Sequence, residues 1–235
     1  MSEQQPVLEL EMYLIRHGES RGNVGLTGER VSFDLREDPP LTVKGRLQAD
    51  LLGQALAGVD FDAVYSSAMR RAVMTAKGVL DHQPGNKPLR LLPLLTEQGV
   101  SDNYEGQPVE ALQSLCPGCR MADGFETARR INGTPDQPDP VVLARAKTAI
   151  DYLRDRHGGG QKIAVVSHAA FLTYFIFRIC GVKEAMPFFD IDLNNTGVTR
   201  VKFYQPGTNP FGDVVFAYIN NTAHLAAMNG GKAKV

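Results

Sequence analysis

Residues 11–20 read EMYLIRHGES, in which a mainly apolar run ends at a basic pair, Arg16 and His17. The run over 11–15 predicts a strand. A charged pair directly after an apolar strand is costly unless it faces a crevice. In open α/β sheets the ligand crevice lies at the carboxyl ends of the strands. This stretch therefore predicts a polar site where the first strand of an α/β sheet ends.

Two later apolar runs end in the same way. The run at 63–65 is followed by two serines, and the run at 163–166 by Ser167 and His168. Strands that alternate with helices imply right-handed crossovers and a mostly parallel sheet. We therefore predict an α/β three-layer sandwich with helices on both faces of the central sheet. Helical spacing and capping signals predict its main helices at about 42–57, 69–80, 139–156 and 171–180.

The remaining segments complete a single predicted domain over residues 1–235. Residues 88–92 predict another strand, and the tail from Ile191 onward predicts strands with little helix. The stretch 98–140 is rich in Gly and Pro, with a short helix near 108–115. We interpret it as a cap-like insertion rather than core, and residues 21–38 as a second one.

Composition limits the classes of partner. The 235 residues include 25 basic and 26 acidic side chains, a formal net charge of −1. No global field favours nucleic acid or membrane, so any preference for anions must be local. The apolar stretch 163–182 is interrupted by His168 and Arg178, which favours a buried strand and helix over a membrane span.

Cysteine content and the N-terminus bear on location. The three cysteines, at positions 116, 119 and 180, are too few and of the wrong parity for a disulfide scaffold. The first residues have neither the basic nor the apolar part of a secretory signal. We expect cytoplasmic residence. The sequence leaves the oligomeric state open, a homo-oligomer included.

Each strand-end motif has an ordinary structural explanation by itself. Arg16 and His17 suit a solvated loop, the serines at 66 and 67 suit helix caps, and His168 suits a hydrogen-bonded core residue. Together they place two His and at least two Arg at the ends of predicted parallel strands. Such a positive site suits phosphate, which Arg binds in bidentate fashion. A His flanked by cations stays neutral near pH 7 and can act as a nucleophile.

Four motifs together resemble one family. They are L-I-R-H-G-E-S-x-x-N, D-x-P-L-T-x-x-G-x-x-Q-A, S-S-x-x-x-R-A-x-x-T-A and V-V-S-H, in this order across residues 12–169. This pattern resembles the histidine phosphatase superfamily, which includes cofactor-dependent phosphoglycerate mutases and many small-molecule phosphatases. The resemblance implies a phosphatase fold and a small-molecule phosphate as partner, with neither a metal ion nor another cofactor.

The same resemblance implies a role for individual residues. His17 would be the nucleophile that forms a phosphohistidine, and Glu97 would donate a proton to the leaving oxygen. A proton donor of this kind needs a raised pKa, which burial beside a phosphate dianion favours. The other family positions would hold the phosphoryl group or its surroundings: Arg16, Asn23, Arg71, His168 and Asn195.

The chain departs from the family pattern near the predicted acid. Glu97 lies one residue further from Tyr104-Glu105-Gly106 than is usual, and Asp102 stands where Gly is common. Glu19 is better interpreted as a loop residue, because its carboxylate would repel a phosphate.

Two alternatives lie outside this class of enzyme. His17-Gly18-Glu19 with Cys116 and Cys119 superficially matches the H-x-E…P-C-x-x-C signature of zinc deaminases. Leu115 stands in place of the Pro, and about a hundred residues separate the two halves. A non-catalytic phosphate-binding module would be expected to lack a core residue, yet both His and both family Arg are present. We therefore favour an enzyme.

A phosphoglycerate mutase is the alternative within the family. Such mutases resemble one another through a Trp shortly after the R-H-G-E-S motif, where this chain has Gly22 and contains no Trp anywhere. Basic residues at 120, 129 and 130 are compatible with a substrate that has an anionic tail. A mutase must also keep water from its phosphohistidine. We predict hydrolysis of a phosphomonoester.

Overall fold

The computed structural model describes residues 5–25, 32–100, 104–127, 137–185 and 190–229. Its strands are β1 (Leu8–Arg16), β2 (Ala63–Ser66), β3 (Leu89–Leu91), β4 (Arg120–Met121), β5 (Gln161–Ser167), β6 (Val198–Tyr204) and β7 (Val214–Asn221). Within the described ranges they form one sheet in the order β4-β3-β2-β5-β1-β6-β7. The pairs from β4 to β1 are parallel, whereas β6 and β7 join antiparallel. The prediction of a mostly parallel sheet is confirmed.

Apart from α1 (Phe33–Glu37), which the sequence did not predict, the helices lie close to their predicted positions. They are α2 (Val43–Leu56), α3 (Arg70–Leu80), α4 (Val109–Gln113), α5 (Asp139–Arg156) and α6 (Ala169–Ile179), with 3₁₀ turns at Pro93–Leu95 and Ala223–Asn229. Thr42 caps α2 as predicted, because its Oγ1 accepts the N–H of Gly45 at 2.9 Å. None of the helices in the described residues is long and apolar enough to cross a membrane.

Side chains of β1 point alternately into two cores. Met12 and Leu14 pack in the cluster that includes the buried faces of α5 and α6. Tyr13 and Ile15 pack in the cluster that includes α2 and α3. All four are at most 3% exposed, and burial of each such side chain contributes about 1.5–3 kcal/mol. A sheet covered on both faces is the predicted three-layer sandwich.

Part of the segment predicted as a cap belongs to the core instead. Leu112, Cys116 and Cys119 are buried in the cluster beneath α2 and α3. β4 extends the sheet by pairing with β3, Leu91 opposite Met121. The sequence did not indicate this packing, because a five-residue helix and a two-residue strand are too short to show a hydrophobic period. Asp102, Arg129 and Arg130 lie outside the described residues, and the division into one domain with caps stays a prediction.

The register of the central strands aligns the carboxyl ends of β1, β2 and β5, where the polar residues lie. Arg16 lies opposite Ser167, and Ser66 lies opposite Val166. Beyond the strands, the N–H of His17 donates to the Ser167 carbonyl at 2.9 Å. The N–H of Ser67 donates in the same way to the Val166 carbonyl at 2.9 Å. Parallel pairing therefore gathers the ends of β1, β2 and β5 at one edge of the sheet.

Candidate active site

His17 is held as a neutral imidazole whose lone pair lies on Nε2. The residue is 3% exposed, and its Nδ1 lies 2.7 Å from the Gly18 carbonyl oxygen. Because that oxygen can only accept, Nδ1 carries the proton. Nε2 in turn accepts from Nε of Arg71 at 3.2 Å. Burial first, and then the charges of Arg71 and Arg16, hold the pKa of His17 well below its usual range.

The loop that carries His17 packs directly on α2. A Cβ added to Gly18 would lie 2.6 Å from the carbonyl oxygen of Gly45, closer than real side chains approach. The N–H of Gly18 donates to Thr75 Oγ1 at 3.0 Å, and that hydroxyl donates to the Arg71 carbonyl at 2.7 Å. The turn after β1 is therefore fastened to both α2 and α3.

His168 lies beside His17 and is fully buried. The two ring centroids are 5.1 Å apart with an angle of 62° between the planes. His168 Nε2 lies 2.9 Å from Ser67 Oγ, while its Nδ1 has no hydrogen-bond partner within the described part of the chain. Burial, followed by the charge of Arg71, holds the pKa of His168 well below its usual range.

Arg16 and Arg71 add buried donors to the same edge. Arg16 Nη1 donates to the carbonyl of Leu193, and its Nε has no partner among the described residues. Arg71 is 7% exposed, and its Nη1 lies 3.5 Å from Asp38 Oδ1 without forming a hydrogen bond in the same described ranges. A buried donor left without a partner costs about 1–3 kcal/mol. An oxyanion bound here would remove that cost.

Glu97 lies near these cations at the start of α6. Its Oε1 accepts N–H groups from Gln98 at 2.9 Å and from Phe171 at 3.0 Å. Arg145 fixes the preceding turn by donating to the carbonyls of Leu94 at 2.9 Å and Thr96 at 2.6 Å. Burial raises the pKa of the Glu97 carboxyl, and the charge of Arg71 opposes that rise. A raised pKa suits a group that must donate a proton.

Asn23 and Asn195 brace the loop behind His17. Asn195 Nδ2 donates to the His17 carbonyl at 3.0 Å and to Asn23 Oδ1 at 3.2 Å. Asn23 Oδ1 also accepts the N–H of Ser20 at 3.1 Å. Asn195 thus contacts His17 directly, whereas the exposed Asn23 is linked to it through Asn195. All seven predicted site residues surround one edge of the sheet.

Glu19 points away from this edge, towards the start of α2. Its Oε2 forms an ion pair with Lys44 at 2.6 Å, and its Oε1 accepts from Thr42 Oγ1 at 2.9 Å. The hydrogen bond from Lys44 lowers the pKa of Glu19. This placement agrees with the interpretation of Glu19 as a loop residue.

The cysteine pair lies elsewhere. Cys116 and Cys119 are free, buried thiols in the core beneath α2 and α3, and burial raises the pKa of Cys116 to about 11. Among the described residues, no three His, Cys, Asp or Glu side chains are grouped so that they could hold a metal ion. The two halves of the deaminase-like signature therefore do not meet.

Sequence reasoning missed two residues that contact the site. Ser67 was interpreted as a helix cap, but Met69 occupies that position in α3 and makes no capping bond with its side chain. Ser67 contacts His168 instead. Asp38 is fully buried beside Arg71. Both lie inside the quoted motifs, which is the signal that could have marked them.

Known proteins resemble this chain in sequence and in fold. The E. coli (strain K12) adenosylcobalamin/alpha-ribazole phosphatase is 30% identical over 189 residues, covering 78% of this chain and 86% of that protein. A 2,3-bisphosphoglycerate-dependent phosphoglycerate mutase of Bartonella henselae is 37% identical over 99 residues, 40% of this chain and 45% of the mutase.

A solved structure and a family model extend the similarity. Phosphoserine phosphatase from Entamoeba histolytica, in complex with 3-phosphoglyceric acid, superposes with a TM-score of 0.60 at 25% identity, covering 92% of this chain and 99% of that one. The sequence model of the histidine phosphatase superfamily, branch 1, matches residues 12–210. The chain belongs to the histidine phosphatase superfamily, branch 1, whose members among these relatives are phosphatases and phosphoglycerate mutases.

Proposed function

We propose that this protein hydrolyses a small-molecule phosphomonoester through a phosphohistidine on His17, without a metal ion. One observation supports this proposal most directly: a neutral imidazole, with its lone pair on Nε2, lies among buried side-chain nitrogens that have no hydrogen-bond partner within the described part of the chain. These groups are Arg16 Nε, Arg71 Nη1 and His168 Nδ1. A tetrahedral oxyanion is the ligand that such an arrangement fits.

In the first step, the hydrogen bond from Arg71 Nε to His17 Nε2 breaks, and Nε2 attacks phosphorus as the bond from phosphorus to the leaving oxygen breaks. Protonated Glu97 gives its proton to that oxygen, so that an alcohol leaves. Arg16 and Arg71 stabilise the charge on the equatorial oxygens. His168 assists if Ser67 donates to its Nε2, because its own proton then lies on Nδ1.

In the second step, water attacks the phosphohistidine. The Glu97 carboxylate takes a proton from the water as the new oxygen–phosphorus bond forms. The nitrogen–phosphorus bond breaks, which restores neutral His17 and releases inorganic phosphate. Glu97 returns to its protonated form, so the cycle closes without another reagent.

The extent of similarity favours hydrolysis over mutase activity. The E. coli phosphatase aligns with 78% of this chain, whereas the B. henselae mutase aligns with 40% of it at a higher local identity. The Trp that mutases resemble one another by is replaced here by Gly22. A mutase-type phosphoryl transferase remains the second candidate on the strength of that local identity.

The cellular setting is part of the same proposal. All three cysteines, at positions 116, 119 and 180, are free thiols. Free thiols are typical of reducing compartments, which supports residence in the cytoplasm. Small phosphorylated metabolites in that compartment are the expected class of substrate.

Trapping the intermediate tests the chemistry. The protein is mixed with a phosphomonoester carrying radioactive phosphate and quenched in alkali, in which phosphohistidine survives. We expect label on His17 that acid releases, and no label on a His17→Ala variant. Label retained by that variant would contradict the assignment of the nucleophile.

The fate of the label separates the two candidates. With 3-phosphoglycerate present, a hydrolase releases most label as inorganic phosphate, whereas a mutase transfers most of it to the acceptor. A chelator should leave the rate unchanged. A large fall in rate that added metal restores would contradict metal-independent hydrolysis.

A further inference from the structure

We infer that Asp38 and Tyr104 form a positioning pair that sets the place of Arg71 and so couples the segment 104–107 to the phosphate-binding edge. This inference rests on the proposed function, because it assigns Arg71 to the bound phosphate. Neither side chain touches the substrate in this scheme. Both act through Arg71.

Asp38 is a fully buried carboxylate at the start of α3. Its two oxygens lie 2.9 and 3.1 Å from the backbone nitrogen of Arg70, which donates to them. This bond supplies the cap that the Met69 side chain does not provide. Asp38 therefore locates the first turn of the helix that carries Arg71.

The same carboxylate attracts Arg71 without accepting a hydrogen bond from its Nη1. Asp38 Oδ1 lies 3.5 Å from Arg71 Nη1, close enough for an ion pair but without a hydrogen bond. Arg71 Nε meanwhile donates to His17. The charge of Asp38 thus holds the guanidinium in place, while Nη1 keeps its hydrogens for a phosphoryl oxygen.

Tyr104 connects Asp38 to the segment 104–107. Its hydroxyl donates to Asp38 Oδ2 at 2.9 Å and accepts from Gln107 Nε2 at 3.0 Å. Its ring, 5% exposed, packs with Met69 and Val100 in a separate apolar cluster. Tyr104 is therefore linked to the start of α3 in two ways: its ring packs on Met69, and its hydroxyl acts through Asp38.

These contacts predict an effect on catalysis rather than on folding alone. Misplacing a catalytic group by an ångström can cost about a hundredfold in rate. Removing the charge of Asp38 frees the guanidinium of Arg71 to move by that order. Removing only the Tyr104 hydroxyl leaves the charge, so a smaller effect is expected.

The test compares Asp38→Asn and Tyr104→Phe in the full-length protein. With p-nitrophenyl phosphate, kcat/KM should fall roughly 30- to 100-fold for the first and about 3- to 10-fold for the second. Inhibition by inorganic phosphate should weaken in both. The matched control is Tyr174→Phe, which also removes a hydroxyl that donates to an aspartate, Asp139 at 2.7 Å. The control should match the parent protein in both measurements.

A double-mutant cycle separates positioning from a purely structural role. In an Arg71→Gln background, Asp38→Asn should cost less than about threefold further, because its effect passes through Arg71. An equal loss in both backgrounds would overturn the inference. Should Asp38→Asn not fold, Tyr104→Phe decides, since it keeps the ring packing: a variant identical to Tyr174→Phe overturns the inference. Absence of turnover in the parent protein would instead refute the proposed function.

Discussion

Among the described residues, two clusters of His and Arg side chains differ in how their polar atoms are used. One surrounds His17 and His168 at the carboxyl ends of β1 and β5. The other surrounds His157, at the end of α5. Burial is the largest cause that lowers the pKa of all three imidazoles.

The His157 cluster is closed by its own chain. His157 Nδ1 lies 2.9 Å from Gln161 Oε1, an acceptor, so that nitrogen carries the proton. Nε2 then accepts the hydroxyl of Tyr65 at 2.9 Å, and Tyr65 in turn accepts from Arg90 Nη1 at 2.9 Å. Both ring nitrogens have partners. This is the pattern of a structural network.

The His17 cluster contains buried nitrogens whose hydrogen-bonding capacity is unused. In the described ranges, Arg16 Nε, Arg71 Nη1 and His168 Nδ1 have no hydrogen-bond partner. Within these ranges Arg71 Nη1 has only its ion pair with Asp38. Burying these groups costs desolvation free energy that no hydrogen bond within the fold offsets. A bound oxyanion would offset it. Buried His and Arg by themselves therefore do not mark a site. Buried polar atoms without a hydrogen-bond partner do mark one.

Replacing His17 in one variant and His157 in another should give the largest difference in kcat between the two clusters. His17→Ala should lower kcat by more than about a thousandfold, because no other group can form the covalent intermediate. His157→Ala should leave kcat within about twofold of the parent protein when assayed well below its melting temperature. Turnover with p-nitrophenyl phosphate measures both. Comparable losses in the two variants would remove the contrast between the clusters.

Removing the Glu97 acid should give the next largest effect, and one that depends on the leaving group. Glu97→Gln should slow hydrolysis of an alkyl phosphate about 10²- to 10⁴-fold. p-Nitrophenyl phosphate should be much less affected, since its leaving group needs no proton. Burial raises the Glu97 pKa, so the acid form persists to higher pH and kcat should fall as pH rises through that pKa.

The pH profile of the variant completes this test. Glu97→Gln cannot titrate, so the fall in rate on the alkaline side should disappear for the alkyl phosphate. Asn195→Ala is a useful companion, because it disturbs the His17 loop without removing an acid. Suppose instead that Glu97→Gln slows hydrolysis of both substrates equally and keeps the fall in rate at high pH. Another group would then be the acid.

The sequence predicts which strand ends meet better than it predicts the residues around them, for a physical reason. Arg16, His17 and His168 directly follow strands that are apolar enough to recognise, and parallel strands end at one edge. Asp38 and Ser67 act through partners 33 and 101 residues away in the chain. No local period or cap signal encodes such contacts.

The segment 98–140 shows the same limit for the fold. Its Gly and Pro content indicated an insertion, yet Cys116 and Cys119 pack in the core. Glu97, at the near end of this segment, was assigned by motif although its spacing to Tyr104-Glu105-Gly106 departs from the family. Its hydrogen bonds run to Gln98 and, across the fold, to the first turn of α6. Contacts between residues far apart in the chain thus determine where the cysteines and Glu97 lie.

Oxyanion binding should give a third, smaller contrast, in stability. Inorganic phosphate at about a hundred times its dissociation constant should stabilise the parent protein by about 2.7 kcal/mol. Arg71→Gln should abolish most of that gain, whereas Arg90→Gln should keep it, because Arg90 serves the closed cluster. Thermal unfolding with and without phosphate measures each shift. A shift that is lost equally in both variants would mean that phosphate binds away from His17.

The smallest expected effect concerns the closed cluster and its pH dependence. His157→Gln should lower the free energy of unfolding by about 1–2 kcal/mol at pH 8, through loss of the Tyr65 hydrogen bond. Burial lowers the pKa of folded His157 below the value of about 6.5 in the unfolded chain. Its contribution is therefore complete above pH 6.5 and is lost as pH falls towards the folded pKa, since the unfolded state then binds more protons.

The difference between the parent protein and His157→Gln should accordingly narrow on acidification. His17, His168 and His224, whose pKa values burial also lowers, titrate in both proteins, so their contributions cancel in the comparison. Urea unfolding at pH 8 and pH 5.5 measures the difference. A difference that widens at the lower pH would mean that the fold binds protonated His157, in which case Tyr65 accepts from that nitrogen and the cluster is not the neutral, closed network described above.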